Sequence, residues 1–399
     1  MHICFTPIDF HTREGGGGIA SYVRVMAEAL LRRGHRVTVV AVGRRPETGE
    51  GGDPRRDFRV VWAPIPGVHW YLSKLLPENN PAVLPLRELE WSVAVYRALL
   101  KISREDPIDV VEGVEGGNSW VHWGKKWPLV VRLHGERYVF AKYSGRPLHS
   151  GIRLLRRLEL SYLRKADRVT SPSRFQANEM AGAMKWPADR IEVIPNPVSP
   201  WFLARAEKAG DKRASEEAVV LYTGRIEFSK GTIPLLESVP AVAKAVPRVR
   251  FVIAGGRHPS IDDRTLERLL AENGRGRHVE ILGHVPWKSL VDWYRAASLF
   301  VMPSYMETFG ISCLEAMAFG LPVVASNTSA LPEVVEDGVT GLLVPPGDPD
   351  ALARAVIRLL GDPDLRRRLG EAGRKRVMER FGVERIVTSM LAVYRSVAE

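Results

Sequence analysis

Glu307 and Glu315 stand with seven residues between them in the block MPSYMETFGISCLEAMAFG (302–320). Glu307 precedes Phe309 and Gly310, where the pattern predicts the start of a helix, and Glu315 falls near the second turn of that helix. One carboxylate there can accept hydrogen bonds from sugar hydroxyls at the helix N-terminus, and the other from ribose hydroxyls one layer deeper. The free N–H groups around Phe309, Gly310 and Ile311 suit a phosphate. A second cluster lies in TGRIEFSKG (223–231), between an apolar run and an amphipathic segment. Its Arg225 offers a forked donor and its Lys230 a point charge, a pair able to neutralise a diphosphate. A third, EGGGGIASYV (14–23), places four glycines before a helical pattern, so backbone N–H groups and the helix N-terminus favour an anion. Taken singly, each has a plainer reading: a surface charge, or a flexible loop.

The elements that must position these residues follow from apolar periodicity. Short runs, apolar on both faces, read as strands of a buried parallel sheet: 2–8, 36–43, 58–64, 109–114, 129–135, 168–173 and 191–196. Helical spacing recurs near 18–33, 84–104, 152–165 and 174–182. Strand-then-helix order of this kind implies a doubly wound α/β layer. Three prolines in PNPVSP (195–200) cannot continue a helix or a central strand, so a hinge is expected there, followed by an exposed polar connector from Leu203 to Glu217. The alternation restarts with six strands at 218–225, 250–256, 279–285, 299–304, 322–327 and 341–346. Helices are expected between them, near 231–245, 261–272, 287–296, 310–319 and 349–360. Helices across 362–397, broken at Phe381–Gly382, close the chain. Two such layers imply ligand binding in a cleft at the carboxyl ends of the strands, assembled by closure.

Composition narrows the function classes. The 399 residues suit two domains, and the two cysteines, Cys4 and Cys313, have no nearby partner, against a disulfide framework or zinc finger and in favour of a reducing, cytoplasmic compartment. No signal peptide and no membrane-spanning run is read. The formal charge is +11, and residues 121–174 alone carry 13 basic against 3 acidic groups. That local field suits an anionic substrate or peripheral contact with anionic lipid, or else is a solvated arginine-rich surface. The segment 153–168 reads as a basic amphipathic helix that could touch an anionic lipid or a phosphorylated acceptor, the favoured reading being that its aliphatic face packs in the core. Asp348-Pro-Asp350 and Asp362-Pro-Asp364 have the spacing of a metal site, but each precedes a helix with Pro in its first turn, so both read as caps. No metal site and no cofactor are expected.

The E-x7-E block, the TGRIEFSKG loop, the glycine-rich N-terminal loop and IPNPV (194–198) together resemble the retaining glycosyltransferases of family 4, over essentially the whole chain and most strongly over 218–350. The resemblance implies a GT-B fold: two facing Rossmann-like α/β domains, 1–198 for the acceptor and 199–382 for the nucleotide sugar, with a last helix at about 383–399 returning to the first. It implies that Arg225 and Lys230 hold the donor diphosphate, Glu307 the sugar hydroxyls and Glu315 the ribose. Gly17, Gly18, Gly224, Gly256, Phe309, Gly310 and Ile311 would line the donor site, Asn196 would join it from the interdomain segment, and His134 would sit beside the donor sugar. Glu112, Glu115 and Arg137 are candidates for the acceptor, the plainer reading for the two glutamates being strand-end charges that face water.

The expected activity is transfer of a sugar from a UDP-sugar or GDP-mannose to a hydroxyl acceptor, anionic or lipid-linked, in glycan, glycolipid or glycoconjugate synthesis. A non-catalytic nucleotide-sugar or glycan binder is one alternative. A nicotinamide oxidoreductase is the other: Gly15, Gly17 and Ala20 fit G-x-G-x-x-A, but the second strand ends in Val40–Gly43 with no acid for a ribose. Nucleic-acid binding is not expected, since no aromatic-interleaved basic motif is present.

Overall fold

The structure, a computed structural model, describes residues 1–7, 10, 17–43, 58–65, 67–75, 83–116, 126–135, 150–207 and 217–399. The chain divides into two compact units, Met1–Pro197 with Val383–Glu399, and Val198–Gly382.

In the first unit β1 (His2–Thr6), β2 (Arg36–Val42), β3 (Arg59–Ala63), β4 (Val110–Val114), β5 (Leu129–Arg132), β6 (Arg168–Ser171) and β7 (Ile191–Val193) form one parallel sheet in the order 3-2-1-4-5-6-7. Successive side chains leave opposite faces of a strand, so Ile3 and Phe5 enter one core and Cys4 the other. The first core is closed by α1 (Gly18–Arg32) and by the C-terminal helix Val383–Ala398. The second is closed by α3 (Val83–Glu105), α4 (Ser150–Lys165) and α5 (Arg174–Met184); α2 (Val68–Leu75) packs beside α3. Each fully buried Leu, Ile or Phe contributes roughly 1.5–3 kcal/mol relative to exposure, so covering both faces dominates the stability of the layer.

In the second unit β8 (Ala218–Thr223), β9 (Val249–Ala254), β10 (Val279–Gly283), β11 (Leu299–Met302), β12 (Val323–Ser326) and β13 (Gly341–Val344) form a parallel sheet in the order 10-9-8-11-12-13. Strand order reverses between β8 and β11, as it does between β1 and β4. At such a switch point the loops leaving adjacent strands diverge and open a crevice at the carboxyl ends. The helices are α6 (Pro200–Glu207), α7 (Thr232–Ala245), α8 (Asp263–Ala271), α9 (Trp287–Ala296), α10 (Ile311–Ala318), α11 (Leu331–Val334), α12 (Pro349–Gly361) and α13 (Pro363–Arg380).

Two expectations change. The stretch after Pro200 is no exposed connector at its start: α6 buries Phe202 and Ala206, and Trp201 lies 4.2 Å from Trp287, ring centre to ring centre. Pro200 opens this helix, where its missing N–H costs no hydrogen bond. Nor do Glu112 and Glu115 face water; both are buried. The two Asp-Pro-Asp motifs are caps: Asp348 accepts from the N–H of Ala351 at 2.8 Å and Asp362 from that of Leu365 at 2.9 Å. The aliphatic side of α4 joins the core through Leu160, Tyr162 and Leu163. No described helix is long and apolar enough to cross a membrane.

Candidate functional site

The loops that leave β8 and β11 carry the second unit's candidate residues, apart from Gly256, which follows β9. After β8 the chain passes Arg225, turns through a short 3-10 segment (Phe228–Lys230) and enters α7 at Gly231. Gly231 has φ 70°, and a Cβ there would lie 1.9 Å from the carbonyl oxygen of Pro303, so only glycine lets this turn approach the β11 loop. The approach pairs the two loops. The N–H of Tyr305 donates to Ser229 O at 2.9 Å, and the rings of Phe228 and Tyr305 stack at 5.1 Å. Lys230 Nζ donates to Glu307 Oε1 at 2.6 Å, and Ser304 Oγ donates to the same oxygen at 3.2 Å. The Glu307 N–H is held by Ser329 Oγ at 2.9 Å. A cation and a carboxylate are thus fixed at the switch point.

Arg225 is the exposed cation of the pair, its side chain 59% accessible, with Nη2 3.2 Å from Oε2 of the buried Glu227. Glu227 also accepts from Ser229 Oγ at 2.5 Å, so its carboxylate pins both the arginine and the turn. Gly224 follows β8 and donates its N–H to Ala254 O at 3.0 Å; Gly256, just past β9, stands beside this loop and accepts from the Ile226 N–H at 2.9 Å. A Cβ at Gly256 would meet nothing within 4 Å, so open space adjoins its backbone.

Phe309 is buried, and Gly310 caps α10 with φ 98°, turning the helix N-terminus and Ile311 into place. In the first turn of α10 the Cys313 N–H donates to Gly310 O at 3.0 Å, while the N–H groups of Ile311 and Ser312 have no acceptor within the helix and present partial positive charge. Glu315, one turn on, accepts from Tyr294 Oη at 2.9 Å, and Tyr294 Oη lies 3.2 Å from Thr223 Oγ1. Removal from water pushes the Glu315 carboxyl up to about 7, against the opposing effect of the Tyr294 hydrogen bond.

In the first unit Gly17 is the N-cap of α1 and Gly18 its first residue, both exposed. His134 follows β5. Its N–H donates to Glu115 Oε1 at 2.8 Å, and the Gly135 N–H donates to the same carboxylate. Burial, then the neighbouring Arg132 charge, holds the His134 imidazole well below its usual range and therefore neutral at pH 7. Its ring meets Tyr22 edge-to-face at 5.2 Å. Glu112 accepts from Tyr22 Oη at 3.4 Å and from Tyr394 Oη. Asn196, buried, accepts from Arg132 Nη2 at 2.8 Å.

The structure therefore brings Lys230, Glu307, Arg225, Gly224 and Gly256 to neighbouring strand ends of the second unit, with Phe309, Gly310, Ile311 and Glu315 on the loop and helix after β11. It places Gly17, Gly18, His134, Glu115, Glu112 and Asn196 in the first. Arg137 lies outside the described residues, as do Gly15 and Gly16 of the glycine run. Sequence reasoning missed Glu227, Ser304, Tyr294 and Arg132. A charge within the apolar run LVVRLHG was the available signal for Arg132, since a buried guanidinium demands acceptors. Among the described residues no group of three or more His, Cys, Asp or Glu side chains is placed to hold a metal ion.

Two family models match, described as "Glycosyl transferases group 1" over residues 205–376 and "Glycosyl transferase 4-like domain" over residues 17–197. The chain is similar to a D-inositol 3-phosphate glycosyltransferase of Xylanimonas cellulosilytica, 29% identical over 412 residues that cover 98% of this chain and 94% of that one. Its fold is similar to that of a sucrose-phosphate synthase from Thermosynechococcus elongatus, with TM-score 0.76, 27% identity and coverage of 99% and 98%. It also matches the Anabaena protein HepE in complex with UDP-glucose, with TM-score 0.71, 19% identity and coverage of 99% and 100%, a likeness of fold.

Proposed function

The chain belongs to the glycosyltransferases of the family 4 type, with a GT-B fold, and from that premise we propose that it moves a sugar from a nucleoside diphosphate to a hydroxyl acceptor with retention of anomeric configuration. The observation that carries this reading is the Lys230–Glu307 pair at the switch point of the second sheet. A cation there meets the leaving diphosphate, and the carboxylate beside it accepts from hydroxyls of the sugar being transferred.

In this reading the bond from the anomeric carbon to the diphosphate oxygen breaks first, and its electron pair leaves with the diphosphate. Arg225, Lys230 and the N–H groups at the start of α10 stabilise that charge in a site already built for it. Glu227 keeps Arg225 in place beforehand, which lowers the reorganisation needed on binding. Glu315 accepts from the ribose. The acceptor oxygen attacks the anomeric carbon from the face the diphosphate leaves, and its proton passes to a diphosphate oxygen. His134, neutral, serves the reacting sugar as a hydrogen-bonding group rather than as a cation. Gly17 and Gly18 supply backbone N–H groups at the start of α1.

A phosphorylated acceptor fits the +10 excess over residues 121–174, and it fits the phosphate in the names of the inositol phosphate glycosyltransferase and the sucrose-phosphate synthase. The crystallised HepE complex makes UDP-glucose the first donor to try. The test is to incubate the protein with UDP- and GDP-sugars, with and without phosphorylated polyols, and follow released nucleoside diphosphate. Proton NMR of the product then reads the anomeric configuration. Turnover with retention is expected. A protein that binds these donors and turns none of them over contradicts the reading.

A further inference from the structure

Three helices of the first unit turn their acids and their bases in opposite directions. Helix α3 packs against both α2 and α4. The acidic residues of the three are Glu88, Glu90 and Glu105 on α3 and Glu159 on α4; α2 has none. Glu88, Glu90 and Glu159 are buried, and the exposed Glu105 is engaged by Arg59 Nη2 at 2.7 Å. The bases face outward: Arg97 and Lys101 on α3, and Arg153, Arg157, Arg164 and Lys165 on α4, are exposed. Arg153, Arg157 and Arg164 follow one another at helical spacing and share one side of α4, while Leu160, Tyr162 and Leu163 take the side that enters the core. Apolar side chains accompany these cations. On α2, Val68, Tyr71 and Leu75 are 48%, 62% and 79% exposed, and their spacing puts them on one side of the helix; Leu154, next to Arg153, is 46% exposed. A surface helix ordinarily turns such a stripe toward the core.

We propose that the outer surface of α2, α3 and α4 seats the protein on a bilayer rich in anionic headgroups. A surface that was arginine-rich for solubility alone would intersperse carboxylates with its cations; here three of the four are withdrawn into the core and the fourth is paired. Headgroup phosphates supply the opposite charge, and each Lys or Arg held close to such a leaflet strengthens binding by about fivefold. The apolar side chains select lipid over other polyanions. Leu75, Leu154 and Val68 gain from entering the boundary between headgroups and acyl chains, whereas the phosphate backbone of a nucleic acid offers them nothing. The proposal stands apart from the functional reading above, because binding to vesicles is measured without turnover.

The test is flotation of the full chain with phosphatidylcholine vesicles, with and without about one-third phosphatidylglycerol. Binding is expected to the anionic vesicles, falling as salt is raised, and not to the neutral ones. Arg153→Gln, Arg157→Gln and Arg164→Gln together are expected to weaken it by at least about thirtyfold. Arg354→Gln, Arg358→Gln and Arg374→Gln together remove the same charge from exposed positions of the second unit, and are expected to change it less than about threefold. Leu75→Ser with Leu154→Ser is expected to weaken it at least about tenfold. A further readout does not depend on loss of binding. Cys4 and Cys313 are buried, so Leu75→Cys takes up a polarity-sensitive fluorophore selectively, and its emission is expected to shift to the blue on anionic vesicles. Absence of binding to anionic vesicles, an equal loss in the two arginine triples, or an unshifted fluorophore on vesicle-bound protein overturns the proposal. Retention by nucleic acid and not by vesicles overturns it in favour of that partner.

Discussion

The Tyr294 hydroxyl donates to Glu315 Oε2 at 2.9 Å, beneath the start of α10, and this bond opposes the burial that lifts the Glu315 carboxyl to about 7. The two effects set which form of Glu315 meets the donor. An ionised carboxylate accepts from two ribose hydroxyls; a protonated one has lost part of that capacity. The folded-state value lies above the ordinary carboxylate range, so the ionised form dominates only above about pH 7. Donor affinity is expected to weaken as pH falls through that point. Tyr294→Phe removes the bond that favours ionisation, so the midpoint is expected to move to higher pH. Calorimetric titration with a nucleoside diphosphate sugar from pH 5.5 to 8.5 reads both, and a flat profile contradicts the assignment.

The Lys230–Glu307 pair gives a second expectation. Lys230→Ala and Glu307→Gln should each lower transfer by at least about 100-fold, the scale seen when one preorganised charge partner is removed from a reacting centre. The double variant should be scarcely worse than either single one, because the pair acts as a unit. The pair is mostly buried, so Lys230→Ala, which strands the carboxylate, is expected to lower the melting temperature more than Glu307→Gln, which keeps a neutral acceptor in its place. Transfer near the wild-type rate in either variant, measured as released nucleoside diphosphate, contradicts the role.

Much of this was legible in the sequence because parallel strands buried on both faces write continuous apolar runs. All thirteen runs read as strands are strands, from His2–Thr6 to Gly341–Val344. The start of α10 at Gly310–Ile311 was legible for a related reason: glycine after a strand and before an apolar helix marks the turn. What was not legible depends on contacts distant in sequence. Helix α6 begins at a proline and is stabilised by Trp287, Tyr294 and Phe319, roughly a hundred residues on, so local propensity could not announce it. Glu112 looked like a strand-end charge because its partners, Tyr22 and Tyr394, lie far away in the chain. The Glu227 carboxylate was hidden among the loop's cations.

Two glycines near the candidate donor site should respond in opposite ways to the same substitution. Gly231→Ala forces a side chain into a left-handed turn and against the Pro303 carbonyl, so loss of more than about 3 kcal/mol is expected, read by denaturant unfolding. Gly256→Ala adds a methyl into open space and should leave the unfolding midpoint unchanged. If the Gly256 backbone meets the donor diphosphate, that methyl stands in the way, and donor KM should rise at least about tenfold with kcat less affected. An unchanged KM in Gly256→Ala removes this glycine from the donor site.

Buried charge in the first unit yields the last expectation. Burial raises the Glu112 carboxyl, and Arg132, the larger of the opposing influences, favours its ionised form together with the hydroxyls of Tyr394 and Tyr22. Removing the cation alone leaves that carboxylate uncompensated, so Arg132→Met should cost about 3–5 kcal/mol in chemical unfolding. Much of this should return in Arg132→Met with Glu112→Gln, where the glutamine still serves the two tyrosines and no charge is left behind. The remaining deficit is then the loss of the Ile194, Pro195 and Asn196 bonds. A double variant no more stable than Arg132→Met would mean that the arginine acts through those three bonds alone and that Glu112 does not sense its charge.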